Sequence, residues 1–137
     1  VFFRSRESVC VYKRQGYNNY GQLVIDNTTQ MGDNTGEMAL LTGINLGTGR
    51  TATATAGGGS HTCALLDNAS VKCWGLNDYG QLGIDNTTQM GDNTGEMAPL
   101  TGINLVSGCT ATAIAGGNSY TCDLLDTAPV TCRGLYD

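Results

Sequence analysis

The 137-residue chain carries a formal charge of −5 and only seven Lys and Arg, so it lacks the clustered cations that phosphate backbones require, and the composition argues against nucleic acid as a partner. Twenty Gly against two Pro, with Thr, Ala and Asn abundant and Lys and Glu scarce, oppose long amphipathic helices. No apolar run reaches the roughly 18 residues that span a bilayer, and no basic segment followed by an apolar stretch marks a secretory leader.

In chain order, the first segment is VFFRSRESVCVYKRQ, residues 1–15, which holds Arg4, Arg6, Lys13 and Arg14. CVYKRQ resembles a translated sequencing-adapter remnant, as found in assembled environmental sequence. Residues 1–15 therefore read as a non-native or disordered lead, and Cys10 as foreign; a divergent edge strand, VCVYKR, is the alternative. The chain starts at Val1 rather than Met and stops within a motif, so it reads as a fragment.

From Gly16 onward the chain repeats itself with a period of 59 residues. Gly16 aligns with Gly75, Tyr20-Gly21-Gln22-Leu23 with Tyr79-Gly80-Gln81-Leu82, and TGINL at 42–46 with TGINL at 101–105. IDNTTQMGDNTGEMA at 25–39 recurs unchanged at 84–98. Such a period marks a repeat architecture. The predicted organisation is one unit over 16–74, a second over 75–133, and the opening of a third at 134–137.

Within each unit the Asn-, Asp- and Gly-rich segment reads as a turn-rich loop. INL is a short candidate strand. TATATAGGG, 51–59, alternates two residue types, as a strand with two unlike faces does. HTCALL and SVKCWG then flank the turn Asp67-Asn68-Ala69 and form a hairpin. A three-residue loop sets Leu66 against Ser70, Leu65 against Val71, and Cys63 against Cys73. Opposed antiparallel residues have Cβ atoms about 4.5–5.5 Å apart, near enough for a disulfide. Cys122 and Cys132 repeat the arrangement about Asp126-Thr127-Ala128. Two buried thiols are the alternative; a zinc site is another, but it favours cysteines two to four residues apart. Leu65 and Val71 are expected to share the cysteines' face, and Leu124 to lie off it. Cys109 has no counterpart, since Arg50 holds its place, and its pairing with Cys10 requires a native lead.

HTCALLDNASVKCWGLNDYGQLG resembles the repeat of the regulator of chromosome condensation family, in the cysteine-bearing form of secreted bacterial proteins. The matching positions are Ala56-Gly57-Gly58, His61, Ala64-Leu65, Val71, Trp74, Gly75, Asn77 and Gly80-Gln81-Leu82-Gly83. The resemblance covers about 16–137 and implies an all-β, incomplete β-propeller of about two blades of short antiparallel strands. It further implies that His61 and Trp74 are structural. Four departures stand out. Ala69 and Ala128 replace a turn glycine, Val24 replaces the glycine after GQL, Tyr120 replaces His61, and Arg133 replaces Trp74. Ala69 costs roughly 1 kcal/mol if its φ is positive.

No Ser-His-Asp set, GxSxG or phosphate loop occurs, and the single histidine has no repeated partner, so no catalytic residue, cofactor or metal is assigned. Asp26, Asp33 and Glu37, repeated as Asp85, Asp92 and Glu96, supply hard oxygens suited to Ca²⁺, but their spacing fits no calcium loop and a solvated turn is the expectation. Asn27, Asn68 and Asn86 head glycosylation sequons. The function expected is that of a secreted or cell-envelope scaffold binding a protein or a glycan, with neighbouring blades as further partners. Guanine-nucleotide exchange or enzyme inhibition are the alternatives that the resemblance implies, and a metal-using enzyme built on the acidic loop is a fourth.

Overall fold

The computed structural model describes residues 16–127 and 130–135. The expectations for 1–15, Cys10 and Ala128 lie outside the described residues. The described chain holds one short helical turn, α1 (Glu37–Leu40), and six strands: β1 (Ala52–Gly57), β2 (His61–Leu66), β3 (Val71–Gly75), β4 (Ala111–Gly116), β5 (Tyr120–Leu125) and β6 (Thr131–Gly134). They form two three-stranded antiparallel sheets, β1-β2-β3 and β4-β5-β6.

The hairpin register is the one the turn residues dictate. Leu65 pairs with Val71, Cys63 with Cys73 and His61 with Gly75. In the second sheet Cys122 pairs with Cys132. Ala69 N–H donates to Leu66 C=O across the turn at 2.9 Å, and Ala69 has φ of 63°, a conformation in which an L side chain crowds its own backbone. Both sheets share one irregularity, a register shift between Ala52 and Ala54 and between Ala111 and Ala113. At it, Thr53 and Thr112 turn their hydroxyls onto the carbonyls of Leu65 and Leu124.

Two expectations are corrected. INL forms no strand in either copy; in the second copy only Ile103 N–H reaches the edge of β3, donating to Val71 C=O at 2.8 Å. Leu124 does not leave the cysteines' face. It lies two residues beyond Cys122 and so keeps the same side of the strand; it pairs with Ala113 as Leu65 pairs with Ala54. Helix is restricted to α1 among the described residues, and the matching segment of the second copy is turn. There Pro99 replaces Leu40, and a proline disfavours helical backbone in the residue before it.

The core is the seam between the sheets. Cys63, Leu65, Val71 and Cys73, the alternate residues on one face of the β2–β3 hairpin, meet Leu82, Ala111 and Leu125. The opposite face, with Ala64, Leu66 and Trp74, packs on Leu46, Met97 and Leu100. No helix among the described residues is long and apolar enough to cross a membrane.

Candidate functional site

The motif residues singled out from the sequence converge on the turns and on the seam. Asn77 is fully buried. Its Nδ2 donates to the carbonyls of Asn86 (2.8 Å) and Thr88 (3.0 Å), and its Oδ1 accepts the N–H of Leu82 (3.0 Å). Asn18, 59 residues earlier, makes the same three bonds to Asn27, Thr29 and Leu23. Gln81 Oε1 accepts the N–H of Tyr79, as Gln22 accepts that of Tyr20. One amide side chain thus ties the Gly80-Gln81-Leu82 turn to the start of the polar loop and satisfies buried backbone groups. Gly80 and Gly75 have φ of 76° and 105°, and a Cβ at Gly75 would strike Ser60 O.

Along the seam, His61 is buried and its Nε2 lies 2.8 Å from Thr121 Oγ1. Thr121 donates its own hydroxyl proton to Gln81 C=O at 3.0 Å. With that proton committed, the imidazole must donate from Nε2, which leaves Nδ1 as a lone pair. Nδ1 has no partner among the described residues. Burial first, then the Arg133 guanidinium, holds His61 below its ordinary pKa. Gly58 is required beside the ring, since a Cβ there would overlap it. Trp74 is buried, and its indole N–H donates to Gln22 C=O at 2.9 Å.

Arg133 occupies the position of Trp74 and pairs with Asp123, which is fully buried and replaces Ala64. The contact is two-pronged. Nη1 donates to Oδ2 and Nη2 to Oδ1; Nη2 also lies 3.5 Å from Cys73 Sγ. Sequence reasoning noted Arg133 as a departure but missed Asp123. The signal was available at the paired positions 64/123 and 74/133, which change together from apolar to opposite charges.

The acidic loops are closed on themselves. Glu37 Oε2 accepts the N–H groups of Gly32 (2.8 Å) and Asn34 (3.0 Å), and Oε1 accepts Asn34 Nδ2. The bonds from the Asn34 and Gly32 amides lower its pKa to about 2. Glu96 accepts N–H groups from Gly91, Asp92 and Asn93; burial raises its pKa, but the bonds from Asn93 and Gly91 outweigh that, and the net direction is down. Both glutamates therefore spend their oxygens on loop backbone, and among the described residues no cluster of three or more His, Cys, Asp or Glu could hold a metal ion.

Cys63 and Cys73 are disulfide-bonded, with Cα atoms 4.1 Å apart. Cys122 and Cys132 are bonded likewise, also with Cα atoms 4.1 Å apart. Cys109 is free and lies against the Thr127 hydroxyl at 3.1 Å. Each bridge spans a directly opposed pair within one hairpin.

Two sequence models, both described as Regulator of chromosome condensation (RCC1) repeat, match residues 52–81 and 70–124, together more than half of the chain. The chain belongs to the regulator of chromosome condensation repeat family. No curated protein matches it in sequence. Among solved structures, it resembles a chain of the crystal structure of Kap60 bound to yeast RCC1 (Prp20), with a TM-score of 0.59 and 19% identity over 90% of this chain and 25% of that one. Human WBSCR16 gives a TM-score of 0.60 at 17% identity, over 88% of this chain and 27% of its own. Prp20p from Saccharomyces cerevisiae, in a structure reported with its binding properties to Gsp1p and histones, gives 0.55 at 17% identity, over 86% and 25%. The chain spans about a quarter of the length of these structures. At such identities the likeness is one of fold: the two sheets are part of a β-propeller.

Within this RCC1-repeat frame the motif residues hold the scaffold. Gly75, Asn77, Gly80, Gln81 and Leu82 shape the turn that enters the seam. His61 donates to the buried Thr121 hydroxyl in β5, and Trp74 to the Gln22 carbonyl in the preceding turn.

Proposed function

We propose that the 59-residue units 16–74 and 75–133 act as propeller blades of a secreted or cell-envelope scaffold that binds a protein or a glycan through its loops and catalyses no reaction. One observation carries this reading. The motif amides Asn18, Gln22, Asn77 and Gln81 are engaged in internal hydrogen bonds, while the loops over 26–40 and 85–99 present mostly exposed Asn, Asp and Thr. In propellers, function resides in what is mounted on the frame rather than in the frame. The paired disulfides support an oxidising compartment. Prp20p, with its described binding to Gsp1p and histones, supports a protein as the ligand class.

The test is equilibrium binding of the oxidised chain to purified cell-envelope proteins and to immobilised oligosaccharides. The expected outcome is a ligand retained by the wild type and lost when 26–40 and 85–99 are replaced with Gly-Ser segments. Acceleration of nucleotide release from a small GTPase, with no such loop-dependent ligand, overturns the reading in favour of exchange activity.

A further inference from the structure

Among the described residues, Lys72 is a cation buried without an anion. It lies in β3 opposite Ala64 and is 9% exposed. The ion pairs among the described residues are Arg50–Asp67 and Arg133–Asp123, and neither includes it. No hydrogen-bond acceptor among them meets its ammonium. Burial moves its pKa downward, as befits an ammonium that has lost water and gained no counter-ion.

The side chain runs to an exposed turn. Gly47, Thr48 and Gly49 are exposed, and a Cβ on Gly47 would lie 3.9 Å from Lys72 Nζ and 3.4 Å from Arg50 Cγ. Lys72 and Arg50 thus reach one spot from two segments, and Gly47 puts no side chain between them. Arg50 Nη1 lies 3.4 Å from Asp67 Oδ1 in a partly exposed pair. Two cations and one carboxylate leave one positive charge over.

The second unit lacks this set as a whole. Val106 stands for Gly47, Cys109 for Arg50 and Thr131 for Lys72, while TGINL and Asp126 are retained. Positions that meet at one point of the fold change together, from a glycine and two cations to uncharged side chains. The counterpart turn also shows that a neighbouring unit leaves this place open. Val106 is 53% exposed, although the first unit packs directly on the preceding segment, where Ile103 N–H donates to Val71 C=O at 2.8 Å.

We propose that Lys72 and Arg50 form a binding site for a singly charged oxyanion, the carboxylate or sulfate ester group of a ligand, at the Gly47–Arg50 turn. An ammonium and a guanidinium make charge-assisted hydrogen bonds to such a group, and the arriving charge offsets the cost of burying Lys72 unpaired. One surplus positive charge matches a monoanion better than a phosphate dianion. The site is separate from the loops 26–40 and 85–99, so it stands or falls independently of them.

The test is an NMR titration of the oxidised 137-residue chain, with isotope-labelled lysine side chains and backbone, against sodium acetate and sodium methyl sulfate at constant ionic strength. The chain has two lysines, Lys13 and Lys72, so the Lys72 signal is identified by one substitution. A saturable shift of that signal together with the Gly47 and Thr48 amides is expected for one or both salts, and the tighter isotherm identifies the group. Binding should also raise the Lys72 pKa, because an anion favours the charged form. Lys72→Thr installs the residue that the second unit carries. It should weaken the response of the Gly47 and Thr48 amides about tenfold or more, and Arg50→Gln should weaken it by a smaller factor. Unsaturating shifts with both salts, an unchanged isotherm in Lys72→Thr, or tighter binding of hydrogen phosphate than of either monoanion overturns the proposal.

Discussion

Arg133 grips the buried carboxylate of Asp123 at the place where Trp74 lies beside Ala64 in the first sheet. The repeat has exchanged an apolar pair for an ionic one at the same two diagonal positions of a hairpin. Removing one member leaves the other charged and buried, which costs about 3–5 kcal/mol. Asp123→Ala is therefore expected to lower stability to urea by that amount. The double variant Asp123→Ala/Arg133→Trp, which copies the first sheet, is expected to return to wild-type stability or exceed it, because a packed apolar pair often matches a buried ion pair. Additive losses in the double-mutant cycle would show that the two sites are not one unit.

His61 makes the same seam sensitive to pH. Its only free ring nitrogen, Nδ1, faces no acceptor among the described residues, and Arg133 adds positive charge nearby. Protonation in the folded state is thus disfavoured, and the folded pKa lies below the ordinary 6.5. The unfolded chain binds a proton that the folded chain refuses. Stability is therefore complete above about pH 6.5 and falls as pH drops from there toward the folded pKa. Urea midpoints measured from pH 7.5 to 5 should decline over that window. His61→Gln, which keeps a donor for Thr121 Oγ1 but does not titrate, should flatten the decline. An equal slope in wild type and variant assigns the effect elsewhere.

Much of this was legible in the sequence, and the rest was hidden for physical reasons. The period of 59 residues and the cysteines centred on Asn68 located the hairpins, because a cross-strand pair must lie at equal distances from its turn. The roles of Asn77 and Gln81 could be reached only through the family resemblance, since their partners are backbone carbonyls that leave no trace in residue type. INL looked like a strand because two of its residues are apolar, but a ladder needs a partner edge, and among the described residues only Ile103 of these segments donates to one. Arg133 and Asp123 were missed because each is unremarkable alone; the information lies in their joint change from Trp74 and Ala64. Glu37 and Glu96 resembled metal ligands, yet their neighbours Gly32 and Gly91 offer N–H groups that an ion would have had to displace.

Among the described residues four other than glycine have positive φ, Val24, Asp26, Ala69 and Asp85; Asp tolerates that region, so the strain falls on Val24 and Ala69. Val24 has φ of 51° in the turn where Gly83 has 69°, and Ala69 has 63°. Left-handed backbone costs an L residue roughly 1–2 kcal/mol, and a β-branched one is the more strained. Glycine relieves that strain but adds freedom to the unfolded chain. Val24→Gly is expected to raise stability by about 1 kcal/mol, and Ala69→Gly by somewhat less. Thermal melts should move up by a few degrees for each. A lower melting temperature for Val24→Gly would mean that its packing on the Met97 cluster outweighs the relief.

The two disulfides differ in what covers them. Cys63 and Cys73 are sealed in the seam, whereas Cys122 is half-buried and Cys132 exposed. Thiol–disulfide exchange needs in-line approach of a thiolate to a sulfur, so access sets the order of reduction. Graded dithiothreitol should open Cys122–Cys132 first. Alkylation and peptide mapping should find those two cysteines labelled while Cys63 and Cys73 remain linked. Losing a bridge over so short a loop removes roughly 3 kcal/mol or less, so the first sheet and the seam should survive the first step. The inner bridge should open only with unfolding, at a rate that follows stability rather than reductant concentration. Simultaneous labelling of all four cysteines, or Cys63 and Cys73 first, would show that the seam opens more readily than the exposed hairpin is attacked.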